Sequence, residues 1–141
     1  MPRFQMENGQ YYAPPELIRI IKPLKGNPKF RIKYDPRLEY AQGLTTHKSK
    51  YNAIVSEVDI PSHDSLFLYT NANQKSVLKN EIVTLDYTLF FSISYNEKLQ
   101  LPSLSNCFLD FERTKVYWLN WCAKTSVFEK YNDLIKRSAM T

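Results

Sequence analysis

Glycine is scarce in this chain, three residues in 141, and neither a P-loop nor a dinucleotide-binding fingerprint is present. There is no zinc-protease helix either. Cysteine is rarer still: Cys107 and Cys122 are too few for a disulfide framework and lack the close Cys/His spacing of a zinc site, so buried thiols are expected. No apolar run approaches the roughly 18 residues of a membrane span. The opening Met1-Pro2-Arg3-Phe4-Gln5 has no apolar core of a signal peptide, which makes a reducing, cytoplasmic compartment the default. Internal repeats and low-complexity segments are absent.

What the chain does have is apolar and aromatic bulk. Hydrophobic residues make up 43% and aromatics 14%, with ten tyrosines and eight phenylalanines, a folding composition rather than a disordered one. A chain of this length buries one core without a disulfide, metal or cofactor, and no cofactor is expected. The formal charge of +5, from 19 basic and 14 acidic residues, is spread singly along the chain. Without the clustered stripe of a phosphate-binding surface, neither nucleic acid nor membrane is the expected partner.

Residues 1–15 read as an irregular lead-in, because Asn8-Gly9 is a turn dipeptide and Pro14-Pro15 can neither continue a helix nor donate to a sheet. The β-branched run through Ile18, Ile20 and Ile21 predicts a strand over Glu16 to Lys22. A period of two over Lys29 to Asp35 predicts another, with Phe30, Ile32 and Tyr34 on one face. Pro23 to Pro28, with Gly26, supplies turn geometry between them, so the two strands are expected to form a hairpin. Asp35-Pro36 interrupts the second strand and displaces Arg37 to Tyr40 to a bulge or an edge. Further strands are predicted at Ala53–Val58, Ser65–Thr70, Val77–Leu85 and Thr88–Tyr95. In the last, Phe91, Ile93 and Tyr95 alternate with Ser92 and Ser94, as on a strand with one packed face and one near solvent.

Beyond Pro102 the period changes. Phe111 to Lys124 carries apolar groups too broadly for a strand and reads as a helix buried on more than one side. Ser126 to Glu129 is a capping box, and Val127, Tyr131, Leu134 and Ile135 follow at helical spacing, predicting a second, amphipathic helix. That helix reaches Ala139-Met140-Thr141 without a capping residue, so the chain is expected to be truncated there. The fold class is therefore mainly β: an antiparallel β-sandwich segment, incomplete, followed by two C-terminal helices.

Residues able to carry chemistry are thinly distributed. The acidic pairs Asp35/Glu39 and Asp110/Glu112 have the residue types of glycoside hydrolysis, but the first lies in a turn-like context and the second at a helix start, where negative charge is favourable anyway. His47 lies in a polar stretch, and His63 lies between Ser62 and Asp64 in a turn; both read as surface loop rather than a triad. Tyr117, Trp118 and Trp121 present aromatic faces of the kind that stack on sugars, yet the one-turn spacing of Trp118 and Trp121 beside Leu119 and Cys122 favours a helix wedged between layers over an open platform. Lys29, Arg31 and Lys33 interleave with aromatics as in some RNA-binding strands, without the glycine-containing pattern of that fold.

Several segments together resemble the prokaryotic glucoamylase, glucodextranase and trehalase-like proteins of glycoside hydrolase family 15. Pro14-Pro15-Glu16-Leu17-Ile18-Arg19-Ile20-Ile21, followed by Gly26, resembles that family's strand entering a hairpin. Arg31 and then Asp35-Pro36-Arg37-Leu38-Glu39-Tyr40 resemble the next strand, and Met1-Pro2-Arg3 the end of an earlier one. Tyr117-Trp118-Leu119-Asn120-Trp121 resembles the linker helix leaving the sandwich. Arg137-Ser138-Ala139-Met140-Thr141 resembles the first helix of the catalytic (α/α)6 barrel.

The resemblance implies a β-sandwich segment over 1–106, a linker helix over 107–125 and the first barrel helix over 126–141. It implies an inverting α-glucoside hydrolase in which one glutamate protonates the leaving oxygen and another activates water. Both glutamates would lie beyond Thr141, so no catalytic residue is carried over and the chain is expected to be inactive alone. Trp118, Trp121, Tyr117, Arg37 and Tyr40 are the candidates for carbohydrate or domain-interface contact. The implied partners are the catalytic barrel in cis and an α-glucan or oligosaccharide. Lacking the family's earlier strands, the sandwich would also expose a sheet edge open to self-association. Two alternatives stay open: a free-standing carbohydrate-binding module and a basic nucleic-acid-binding β domain.

Overall fold

The computed structural model describes residues 4–50, 52–61, 64–100, 102–124 and 130–139. In chain order its strands are β1 (Phe4–Gln5), β2 (Tyr11–Tyr12), β3 (Glu16–Ile21), β4 (Lys29–Arg31), β5 (Thr45–Lys50), β6 (Ala53–Val58), β7 (Ser65–Thr70), β8 (Ile82–Thr84) and β9 (Leu89–Tyr95). The helices are α1 (Gln74–Leu78), α2 (Leu104–Lys124) and α3 (Asn132–Ala139). Two compact units result, one of residues 15–109 and the other of residues 1–14 with 110–141.

The larger unit is built on a five-stranded antiparallel sheet in the order β3-β9-β7-β6-β5. Its central strands carry continuous apolar runs, which a strand can bear only when both faces are covered. On one face Ile54, Leu68, Leu89 and Phe91 are buried against Val77 of α1 and Leu85. Phe30, Ile32, Tyr34 and Val83 pack there too, so the small sheet of β4 paired with β8 forms a second, sandwich-like layer. On the other face Ala53, Val55, Phe67, Tyr69 and Phe90 are buried with Cys107 and Leu104 from the first turn of α2. Burying a side chain such as Ile54 or Leu68 contributes about 1.5–3 kcal/mol, so the fold rests on these two clusters.

The mainly β architecture with C-terminal helices agrees with the expectation from sequence, whereas several local pairings do not. The strands expected over Glu16–Lys22 and Lys29–Asp35 form no hairpin with one another: β3 pairs with β9, and β4 pairs with β8. Proline at 23 and 28 removes donors at both ends of the connection, and the Phe30/Ile32/Tyr34 face gains more by lying across the large sheet than beside β3. The expected strand over Val77–Leu85 divides into α1 and β8. Asn73 caps that helix, its Oδ1 accepting from the N–H of Lys75 at 2.9 Å and of Ser76 at 3.3 Å. Ser92 and Ser94 do not approach solvent: they are 1% and 0% exposed, because their face of β9 is covered as well.

In the smaller unit residues 4–12 are an ordered hairpin rather than an irregular lead-in. β1 pairs with β2, the Gly9 N–H donates to the Met6 carbonyl at 2.9 Å, and Gly9 takes φ 81°, a left-handed conformation that costs glycine little. Ser103 caps α2 by accepting from the Asn106 N–H at 3.2 Å, which starts the helix seven residues ahead of Phe111. The capping box at Ser126 to Glu129, like Met1-Pro2-Arg3, Ser62-His63, Met140 and Thr141, lies outside the described residues.

Candidate functional site

The register of β5, β6 and β7 assembles a groove that no single sequence segment predicts. Val55 lies opposite Phe67 and Ala53 opposite Tyr69, so two cross-strand pairs put an aromatic floor on one face of the sheet. Those four side chains are buried, and the cavity above them measures about 660 Å³. The segment after β9 makes one wall, fixed where the Leu99 N–H donates to the Tyr69 hydroxyl at 3.0 Å and where the Lys98 ammonium lies 6.0 Å from the Phe67 ring centre. Lys50 of β5 reaches Glu57 of β6 at 3.0 and 3.1 Å, a half-exposed ion pair of small net stability that sets donors beside acceptors on the opposite wall. Asn52 and Ser65 complete a polar rim.

Chemically this arrangement is an apolar floor ringed by mixed donors and acceptors, the general make-up of a small-molecule site. Its single carboxylate, Glu57, is engaged by Lys50.

A second polar cluster lies on the opposite face of the sheet. Ser56, 0% exposed, holds its Oγ 2.8 Å from the Tyr34 hydroxyl and 3.0 Å from His47 Nδ1, and the Tyr34 and His47 rings meet edge to face at 5.4 Å. Burial pushes the Tyr34 hydroxyl above its ordinary pKa, partly offset by the bond to Ser56. Burial also holds the His47 imidazole below its ordinary value, with nearby Asp35 opposing and Arg37 reinforcing that effect. The strand reading corrects the surface-loop expectation for His47, which stands on β5 opposite Ser56. Ser56 is sealed from solvent, so the trio is a structural tie within the core rather than a nucleophile and base open to substrate.

The chain matches no protein-family model, no curated protein and no solved structure.

The residues singled out from sequence fall into both compact units. Tyr117, Trp118 and Trp121 stand half-buried on α2 in a chain of edge-to-face contacts: Tyr11 to Tyr117 at 5.1 Å, Tyr117 to Trp118 at 5.2 Å and Trp118 to Trp121 at 5.9 Å. Tyr11 of the β1–β2 hairpin thus ends an aromatic ladder along the helix. Arg37 pairs with Asp35 at 3.1 Å on the surface. Tyr40 is 96% exposed and occupies the middle of a left-handed run, Glu39, Tyr40 and Ala41 with φ of 48°, 52° and 61°. Each such residue costs roughly 1–2 kcal/mol, so the surrounding fold enforces a turn that projects this tyrosine outward. Sequence reasoning missed Lys50, Glu57, Phe67, Tyr69 and Lys98, which three strands and a loop contribute. The only available signal was that β6 and β7 are apolar on both faces.

Proposed function

We propose that this chain is a non-catalytic β-sandwich domain of an α-glucoside-hydrolysing enzyme of the family 15 kind, and that it packs against and supports a helical catalytic barrel. The observation that carries this reading is the character of α2. Tyr117, Trp118 and Trp121 turn one side of the helix inward, while Phe111, Val116 and Leu119 leave the other side apolar and more than half exposed. A helix half-buried on its aromatic side that exposes Phe111, Val116 and Leu119 on the other is suited to lie between two layers, and a helical barrel supplies the second. Leu134 and Tyr131, at and just before α3, add exposed apolar surface of the same kind.

Incubating the chain alone with trehalose, maltooligosaccharides and dextran tests this reading: no glucose is released. Turnover that purifies with the chain would overturn it. So would genomic DNA beyond codon 141 that lacks a helical barrel with paired acids.

The groove over Phe67 and Tyr69 favours a second reading, a carbohydrate-binding module. Saturable binding of maltoheptaose that is lost in Lys98→Ala with unchanged circular dichroism supports it. Loss in Trp121→Ala alone would move the sugar site to α2.

A further inference from the structure

On the face of the large sheet covered by β4 and β8, the second layer stops short. β4 has one strand neighbour, β8, and a groove of about 330 Å³ runs along its other side, over Leu17, Arg19 and Ile93. The direction of the free edge follows from the hydrogen bonds. The Leu85 N–H donates to the Pro28 carbonyl at 2.9 Å, and Phe30 lies opposite Val83, so the even-numbered residues of β4 direct their backbone toward β8. By the two-residue period of a strand, Lys29 and Arg31 present their N–H and C=O groups to the groove. Its floor includes Leu17, an apolar side chain 56% exposed on an edge strand.

The charge is one-sided. Arg19, Arg31 and Lys33 line the groove, all three exposed, and none has a carboxylate partner among the described residues. Acidic side chains are absent from its lining. Arg31 and Lys33 alternate with the inward-facing Phe30, Ile32 and Tyr34, so their charges stand on the outer side of the layer.

We infer that this groove takes an extended acidic peptide segment, added as a strand beside β4, with apolar side chains inward over Leu17 and carboxylates outward against Arg31 and Lys33. The open backbone edge selects a peptide over a lipid or nucleic acid, since only a peptide chain matches alternating N–H and C=O groups. The apolar floor and the outward cations select alternation of apolar and acidic residues. The inference is independent of any role for the groove over Phe67 and Tyr69, which lies on the opposite face of the sheet.

The probe is an eight-residue synthetic peptide of alternating valine and glutamate, titrated into the full chain. It binds saturably, and Arg31→Glu with Lys33→Glu weakens binding about tenfold or more, because two favourable cross-strand pairs become two repulsive ones. The same double variant gains affinity for the valine/lysine peptide, a reciprocal switch that loss of folding cannot produce. N-methylation of the set of alternate peptide amides that faces β4 removes binding by blocking the strand pairing, and N-methylation of the other set leaves it. Equal binding of the acidic and basic peptides, retention of binding after N-methylation of each of the two alternate sets in turn, or preference for oligothymidine or anionic vesicles over the acidic peptide would each overturn the proposal.

Discussion

His47 shows how one side chain couples acidity to stability. Its ring lies against Ser56 and Tyr34, and burial holds its pKa below the ordinary value of about 6.5. Above that pH both folded and unfolded chains carry neutral histidine, and the contribution to stability is complete. As pH falls through about 6.5 the unfolded chain takes up a proton first, so stability is lost down to the lower folded value and then levels off. Urea unfolding at pH 7.5 and pH 5 therefore shows a smaller acid loss for His47→Gln than for the parent chain. An unchanged difference would mean that His47 does not carry the effect. The Tyr34 hydroxyl gives the mirror case: its raised pKa means stability is lost as pH climbs through about 10 toward the folded value.

At the scale of elements, β9 and β6 carry buried serines in opposite situations. Ser56 Oγ joins Tyr34 and His47, whereas Ser92 and Ser94 Oγ on the other face have no hydrogen-bond partner among the described residues. Removing a bonded hydroxyl strands its partners, and Ser56→Ala is expected to cost about 1–2 kcal/mol. Removing an unbonded buried hydroxyl relieves desolvation, so Ser92→Ala and Ser94→Ala are neutral or stabilise by up to about 1 kcal/mol. Chemical denaturation ranks the three, and a loss at Ser92 as large as at Ser56 would show that its hydroxyl is satisfied. Five strand segments were legible from alternation or apolar runs: Glu16–Ile21, Lys29–Arg31, Ala53–Val58, Ser65–Thr70 and Leu89–Tyr95. β5 was not, because Thr45 to Lys50 is polar on both faces and only its pairing with β6 makes it a strand. Serine at 92 and 94 suggested a solvated face because composition cannot reveal that α2 begins at Leu104 and lays Cys107 over that side. The aromatic helix residues were legible by type, whereas the groove over Phe67 and Tyr69 depends on registers between strands distant in sequence.

For the whole molecule, the open surfaces decide how the chain behaves without a partner. β5 and β3 are the outer strands of the large sheet, and they differ in how well they resist pairing with another chain. β5 carries Lys48 and Lys50 on an otherwise polar strand, the charged edge that discourages strand-to-strand association. β3 is apolar on both faces but bears Arg19 on the side that faces the basic groove, which repels a second copy equally rich in cations. The apolar side of α2 has less protection: Glu112 and Lys115 lie among Phe111, Val116 and Leu119 but pair with one another at 3.5 Å, leaving little net charge to oppose contact. Self-association of the isolated chain is therefore expected through the helix rather than the sheet edge. Sedimentation at rising concentration shows oligomers for the parent chain, and Phe111→Glu with Leu119→Glu returns it to monomer. Reversing the charge of Lys48 and Lys50 tests the alternative: if that change alters the oligomers while the helix variant does not, association runs through the β5 edge, and α2 loses its claim to be the surface that a partner covers.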